Sequence, residues 1–260
     1  MYQTDPPRSA KEFLPTMYDL PSEDPEEPGL PDEFHLLQPQ LLRETFCLSN
    51  FPENQVFIAT DLNLYYDVHH PLWYKRPDWF AVVDVPRLYA QKELRLSYVV
   101  WQEGVNPFVV VEFISPGTEK EDLGRTLRDA SQPPTKWEVY ERVLRVPYYI
   151  VFDRYTDQLR GFQLQGSSYA ELEINQLRVW LNDIELGLGL WQGVYHGIER
   201  QWLRWYDASG NWVLTPEERE RKQGERERQR ANKERLRAER LAAQLRALGV
   251  EPDFGDDEEG

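Results

Sequence analysis

From residue 40 onward, apolar residues gather into short runs separated by turn formers, a pattern that predicts strands more often than helices. A short helix or turn near residues 41–46 leads into strand signals at 56–59, 62–66, 79–85 and 99–102. Residues 108–114 (Phe-Val-Val-Val-Glu-Phe-Ile) form a β-branched run closed by Ser115-Pro116-Gly117, as expected of a strand buried on both faces. Over residues 135–145 the period changes: Trp137, Tyr140, Val143 and Leu144 fall at helical spacing, and Pro147 stops the helix. The chain then enters a second buried run at 148–152, turns at 153–157 and returns through 159–164. Strand, helix, strand in this order predicts a right-handed crossover on a mixed sheet. Residues 176–213 read as a β-meander, with glycines alternating along 186–190 and Asp207-Ala208-Ser209-Gly210 turning between tryptophan-rich strands.

The last long element announces itself by its start. Thr215-Pro216-Glu217-Glu218 supplies an N-cap threonine, a proline at the first helical position and a glutamate at the third. The helix that follows is dense in Arg and Glu, gains apolar positions only at Leu236, Leu241, Leu245 and Leu248, and ends at Gly249. No heptad is sustained, so a solvated helix with a small docking or self-association stripe is expected. The divisions that result are an acidic, proline-rich arm over 1–35, an α/β domain over 36–195, a β extension over 196–214, the charged helix over 215–249 and an acidic tail over 250–260.

Composition narrows the function classes. Hydrophobic residues make up 40% and aromatics 13% of the chain, enough to build a core and to exclude global disorder. There is no basic segment followed by an apolar stretch at the N-terminus, and no run approaches the roughly 18–20 apolar residues of a membrane span, which predicts a cytoplasmic protein. Cys47 is the single cysteine, so there is no intrachain disulfide or cysteine zinc site, and it is expected as a small buried hydrophobe. The histidines, His35, His69, His70 and His196, form no HExxH pattern. Any metal here is expected to be held by oxygen. The net charge of −15 argues against a phosphate-gripping surface, but residues 1–35 and 251–260 contribute −7 and −6 of it. The rest of the chain is nearly balanced and neither predicts nor forbids DNA binding.

The sharpest chemical feature is Glu112, an acid inside an apolar strand. Left alone it would cost several kcal/mol or give up its charge. Two compensations fit: a buried ion pair with a nearby Arg or Lys, or a divalent cation shared with a second carboxylate. Asp78, in Arg76-Pro77-Asp78 just before the strand at 79, is the candidate partner, although Pro-Asp is by itself a common turn. Ser115 and Thr118 lack a histidine base, so serine-type catalysis is not expected. The Trp and Tyr residues between 180 and 212 are expected to pack in the core rather than to stack on bases.

Pro-Asp, then an acid in a buried strand, then a helix carrying a lysine, is the order of the PD-(D/E)XK nuclease superfamily. More closely, Pro77-Asp78, the stretch from Val110 through Glu112 to Thr118, Asp122, Lys136 and Val146-Pro147-Tyr148-Tyr149-Ile150-Val151-Phe152-Asp153 resemble the restriction endonuclease family abundant in cyanobacteria, over roughly residues 40–195. The resemblance implies a restriction-endonuclease-like α/β core and a Mg²⁺- or Mn²⁺-dependent DNA endonuclease. It implies Asp78, Glu112 and the backbone carbonyl of Phe113 as metal ligands and Lys136 as the catalytic lysine. Ile114 stands where the superfamily motif places its lysine, so the role passes to the following helix; Lys120 is a rival, and Glu44 could supply a further acid. A homodimer, with the C-terminal helix as its association element, is compatible with this architecture. The contrasting expectation is a non-enzymatic nucleic-acid or protein binding or assembly protein that keeps the nuclease fold.

Overall fold

A computed structural model describes residues 32–114 and 132–249. The arm up to residue 31, the Ser115–Thr118 turn, Lys120, Asp122 and the tail from residue 250 lie outside the described residues. The chain divides into two compact units at residues 213 and 214.

In the first unit, helix α1 (Phe34–Thr45) precedes strands β1 (Val56–Ala59), β2 (Leu64–Tyr65), β3 (Tyr74–Lys75), β4 (Trp79–Val83) and β5 (Tyr98–Val99). Helix α2 (Val100–Glu103) and strand β6 (Val109–Phe113) follow. The crossover segment is α3 (Lys136–Glu138), which runs on as a π turn over Val139–Val143. Strands β7 (Tyr148–Asp153), β8 (Gln158–Gln165), β9 (Ser168–Glu171), β10 (Arg178–Leu181), β11 (Leu186–Tyr195) and β12 (Ile198–Tyr206) complete the unit.

The central sheet has the order β1-β4-β6-β7-β8-β9. All its pairs are antiparallel except β6 with β7, which the crossover joins in parallel. This is the mixed α/β sheet that the sequence pattern predicts. The runs in β4, β6 and β7 are apolar almost throughout because both faces of the sheet are covered. Trp79, Ala81, Val109, Val111, Phe113, Ile150 and Phe152 face a core shared with α1 and the β10-β11-β12 sheet. Phe80, Val82, Val110, Tyr149 and Val151 face a second core containing Val139, Tyr140 and Leu144 of the crossover.

Three local expectations need correction. Residues 100–103 form a helical turn, α2, instead of continuing the strand, and Gly104, at φ 73°, ends it. Helix α1 starts at Phe34, well before residue 41, and runs through Pro39. Burial of Phe34, Leu37, Leu41 and Leu42 offsets the roughly 3 kcal/mol that an interior proline costs. The buried Gln38 amide adds to this by exchanging hydrogen bonds with the backbone of Leu203 in β12, at 2.7 and 2.8 Å. Cys47 is exposed, not buried: Phe46 takes the inward position against Trp79 and Trp205 as the helix ends, which turns the next residue outward.

The second unit contains helix α4 (Pro216–Ala247), opened by the expected capping box: the Glu218 N–H donates to Thr215 Oγ1, and the Thr215 N–H donates to Glu218 Oε2. Leu236, Leu241, Leu245 and Leu248 are exposed. No helix among the described residues is long and apolar enough to cross a membrane.

The glycine alternation in β11 has a packing cause. Gly187 lies opposite Tyr206, and a Cβ at 187 would fall 2.0 Å from the Tyr206 ring, whose hydroxyl donates to the Val179 carbonyl at 3.1 Å. Gly187→Ala is therefore expected to displace that ring and lower stability by about 1–3 kcal/mol, read as a lower urea midpoint. Adding Tyr206→Ala should recover part of the loss, and strict additivity of the two changes would count against this packing account.

Candidate active site

The strands that carry the expected acids meet at one rim of the sheet. Because β4 and β6 are antiparallel, the start of β4 lies beside the end of β6, where β6 and β7 also finish together. The register pairs Trp79 with Val111, so one further step sets Asp78 across from Glu112 and another sets Pro77 across from Phe113. Pro77 has no N–H to continue the ladder. The Asp78 carboxylate takes its place: Oδ2 accepts the Phe113 N–H at 2.5 Å. Since N–H and C=O of one strand residue point the same way, the Phe113 carbonyl is directed toward the same side.

Glu112 is fully buried. Its Oε2 accepts the Asp78 N–H at 3.2 Å and the Lys136 ammonium at 2.9 Å, while Oε1 accepts the Tyr140 hydroxyl at 2.8 Å. The sequence-predicted residues Asp78, Glu112, Phe113 and Lys136 are thus brought together. Glu44 is not among them; it accepts from Gln40 on its own helix at 2.9 Å.

Local sequence explains how Lys136 arrives there. The buried Thr135 is the N-cap of α3, with Glu138 closing a capping box, and Pro133-Pro134 precede it, so Lys136 is fixed as the first helical residue. The π turn that follows carries Tyr140 to the same carboxylate, in keeping with the frequent placement of π-bulges at functional sites.

Other groups on the rim were not singled out from sequence. Asp61, in the β1–β2 turn at φ 49°, donates its N–H to the Pro77 carbonyl and accepts from Arg76 Nη2 at 2.5 Å. Burial raises its carboxyl above the usual range, against the pull of Arg76 and the nearby Lys136. His35 is buried, lies edge-on to the Phe113 ring at 5.9 Å and places Nδ1 2.9 Å from Asp32 Oδ1. Asp32 Oδ2 meets Arg154 at 2.5 Å. Burial alone would raise the Asp32 carboxyl, but hydrogen bonds from His35 and the charge of Arg154 hold it below the usual range. An aspartate in a turn carries no local signal for any of this, and neither does a tyrosine at helical spacing.

Among the described residues, no three His, Cys, Asp or Glu side chains cluster as a metal cage. The donors that these strand ends offer are the Asp78 and Glu112 carboxylates and the Phe113 carbonyl, all hard oxygens. Mg²⁺ is commonly held by one or two carboxylates with waters completing its shell, so this donor set fits it.

A family model described as Uma2, "Putative restriction endonuclease", matches residues 14–194, well over half of the chain. The chain belongs to that family. The match begins well before residue 40, where the sequence motifs start, and ends within β11. Among solved structures, the chain is similar to one titled a putative nuclease belonging to DUF820 from Anabaena variabilis, at 11% identity and a TM-score of 0.34. That alignment covers 48% of this chain and 60% of the other. No curated protein matches the chain.

Two stability outcomes follow from this Uma2 rim. Tyr140→Phe removes a hydrogen bond to a buried carboxylate and should cost about 1.5–3 kcal/mol in denaturant unfolding; a cost near zero would mean that the hydroxyl does not support Glu112. Asp32 has a depressed folded-state pKa, so its contribution is present above its unfolded value of about 3.9 and lost as pH falls through the folded one. Asp32→Asn should therefore destabilise the protein at pH 7 by up to about 1 kcal/mol, the range of a partly exposed ion pair, with the gap closing below about pH 4. A gap that persists in acid would contradict the sign.

Proposed function

We propose that this Uma2 protein is a divalent-metal-dependent endonuclease that hydrolyses DNA phosphodiester bonds. The observation that carries the reading is the convergence on one strand end of Asp78, the buried Glu112 and Lys136, with Lys136 Nζ 2.9 Å from Glu112 Oε2. Family membership over residues 14–194 supports it.

On this reading Asp78, Glu112 and the carbonyl of Phe113 would hold Mg²⁺ or Mn²⁺. When bound, the ion supplies Lewis acidity and offsets the charge that develops on phosphorus-bound oxygens. The protein's own groups do the positioning. Asp78 and Glu112, cross-linked through each other's strands, fix the direction from which a phosphate can approach. Lys136, held 2.9 Å from Glu112 Oε2, would orient the attacking water and stabilise the added negative charge. Water adds its oxygen to phosphorus, the bond to the leaving sugar oxygen breaks, and a proton ends on that oxygen; no covalent enzyme intermediate is needed. The same reading includes a homodimer, for which the exposed Leu236, Leu241 and Leu245 on α4 are the association candidates.

A second reading has its own observation. Glu112 is already satisfied by an ammonium, a hydroxyl and an amide, which is the arrangement of a structural ion pair in a binding protein that keeps the fold. The two diverge on metal. Mg²⁺ or Mn²⁺ at about 100 times its Kd should stabilise the wild type by about 2.7 kcal/mol, seen as a raised melting temperature, with no shift in Asp78→Ala. Plasmid nicking should require the metal and fall by at least about 10²-fold in Glu112→Gln. Lys136→Ala should lose nicking but keep the metal-induced shift. Absence of both the shift and the nicking in wild type would favour the binding protein.

A further inference from the structure

Arg154, the first residue after β7, and Arg200, in β12, both stack on the Phe34 ring, with guanidinium carbons 5.2 and 4.5 Å from its centre. Phe34 in turn lies edge-on to Phe113 at 5.4 Å, and the Phe113 amide is the one held by Asp78. The pair therefore sits on the same strand-end rim as the acids, on the face that α1 covers.

Only one of the two guanidinium groups has a carboxylate at ion-pair distance. Arg154 is neutralised by Asp32, which also receives hydrogen bonds from the His35 ring and N–H. Arg200 donates only to carbonyls, to Gln201 O from Nε at 3.2 Å and to Arg154 O from Nη2 at 3.4 Å, and no carboxylate lies within ion-pair distance of it among the described residues. Burial, and then Arg154, lower the pKa of Arg200, while Asp157 and Asp32 act in the opposite direction, so a partly desolvated guanidinium is held here at a penalty. Tertiary packing does not require this, since an aliphatic or aromatic side chain could cover Phe34 without the penalty. An anion beside Arg200 would supply the direct partner that it lacks.

We infer that Arg154 and Arg200 form a clamp for a backbone phosphate of the DNA strand that enters the candidate active site. A phosphodiester presents two non-bridging oxygens and a single negative charge, a match for two neighbouring guanidinium forks of which one is already paired with an acid. The clamp carries affinity and strand placement, not base readout. This inference rests on DNA being the substrate of the site, but not on the acids cutting it.

The test is binding of a fluorescein-labelled 30-base-pair duplex to the full chain, by anisotropy in EDTA, from 50 to 300 mM NaCl. Arg200→Gln should weaken binding roughly five- to tenfold near 0.1 M salt and make the log–log salt slope shallower by about 0.9, the share of one phosphate contact. Arg200→Lys should keep most of the slope, since a lysine still serves as a point charge for phosphate; this conservative variant also answers the objection that Arg200→Gln has merely unfolded. Wild-type affinity and slope in Arg200→Gln, or a wild type that shows no salt-dependent binding, overturn the clamp. Nicking separates the two claims: a wild type that binds through Arg200 but never nicks sinks the nuclease reading alone, and nicking with an unchanged slope in Arg200→Gln sinks the clamp alone.

Discussion

A carboxylate with no solvent exposure, set in the middle layer of a sheet, constrains the rest of this molecule. The desolvation penalty of such a group is several kcal/mol even after relaxation, and it is repaid only when good hydrogen-bond geometry accompanies the opposite charge. Glu112 obtains its partners from two distant stretches of chain: the amide of Asp78 at the start of β4, and Lys136 with Tyr140 from the crossover. Lys136 and Tyr140 are four residues apart, the spacing that stacks side chains on one helical face, yet they serve different oxygens, one on each. Placing β4, β6 and the crossover correctly is thus coupled to satisfying a single side chain. The π turn follows from the same demand, because the segment carrying Tyr140 must pack Val139 and Leu144 against the sheet while its hydroxyl still reaches Glu112.

The second acid is held by the way the ladder stops. Pro77 removes a donor where β6 still has residues to pair, and the Asp78 carboxylate substitutes for the missing strand by accepting the Phe113 N–H. Each acid is therefore bound to the other's strand, Glu112 by an amide of β4's leading turn and Asp78 by an amide of β6. Like charges opposite one another on neighbouring strands are destabilising, so this arrangement persists only beside cations. Lys136 provides one. Sequence positions 77, 78 and 112 are simple to read separately; their mutual fixation is a property of register.

That distinction explains what could be read from the chain. The strand at β6, its parallel neighbour β7, the helical crossover and the capped start of α4 were legible because each is written in consecutive residues: β-branched runs, a change of period, Thr215 with Glu218. The approach of Asp78, Glu112 and Lys136 was legible only through the order of motifs, since no local pattern sets a lysine 24 residues beyond an acid within 2.9 Å of it. Tyr140, Asp61, His35 and Asp32 were not legible as site residues at all. Their roles depend on one hydroxyl, one left-handed turn and one ring pairing, none of which changes hydrophobic periodicity. The errors have the same origin. Cys47 and residues 100–103 lie where an element ends, and there the choice between inward and outward, or helix and strand, is made by packing partners far away in sequence.

The rim also shows why total charge is a poor guide to what the protein can bind. Fields at a site are set by groups within roughly 8–10 Å at ordinary salt, so the groups on the rim bear on binding more directly than the net −15 does. Among the described residues, the rim has two poles. Asp61, Asp78 and Glu112 stand near Arg76 and Lys136, whereas Arg154 and Arg200 stand near Asp32 and Asp157. A cation at the first pole would join its carboxylates, and a phosphate at the second would give Arg200 a direct partner. A phosphodiester strand accompanied by a divalent ion, the ligand of the proposed reading, would bring both charges together.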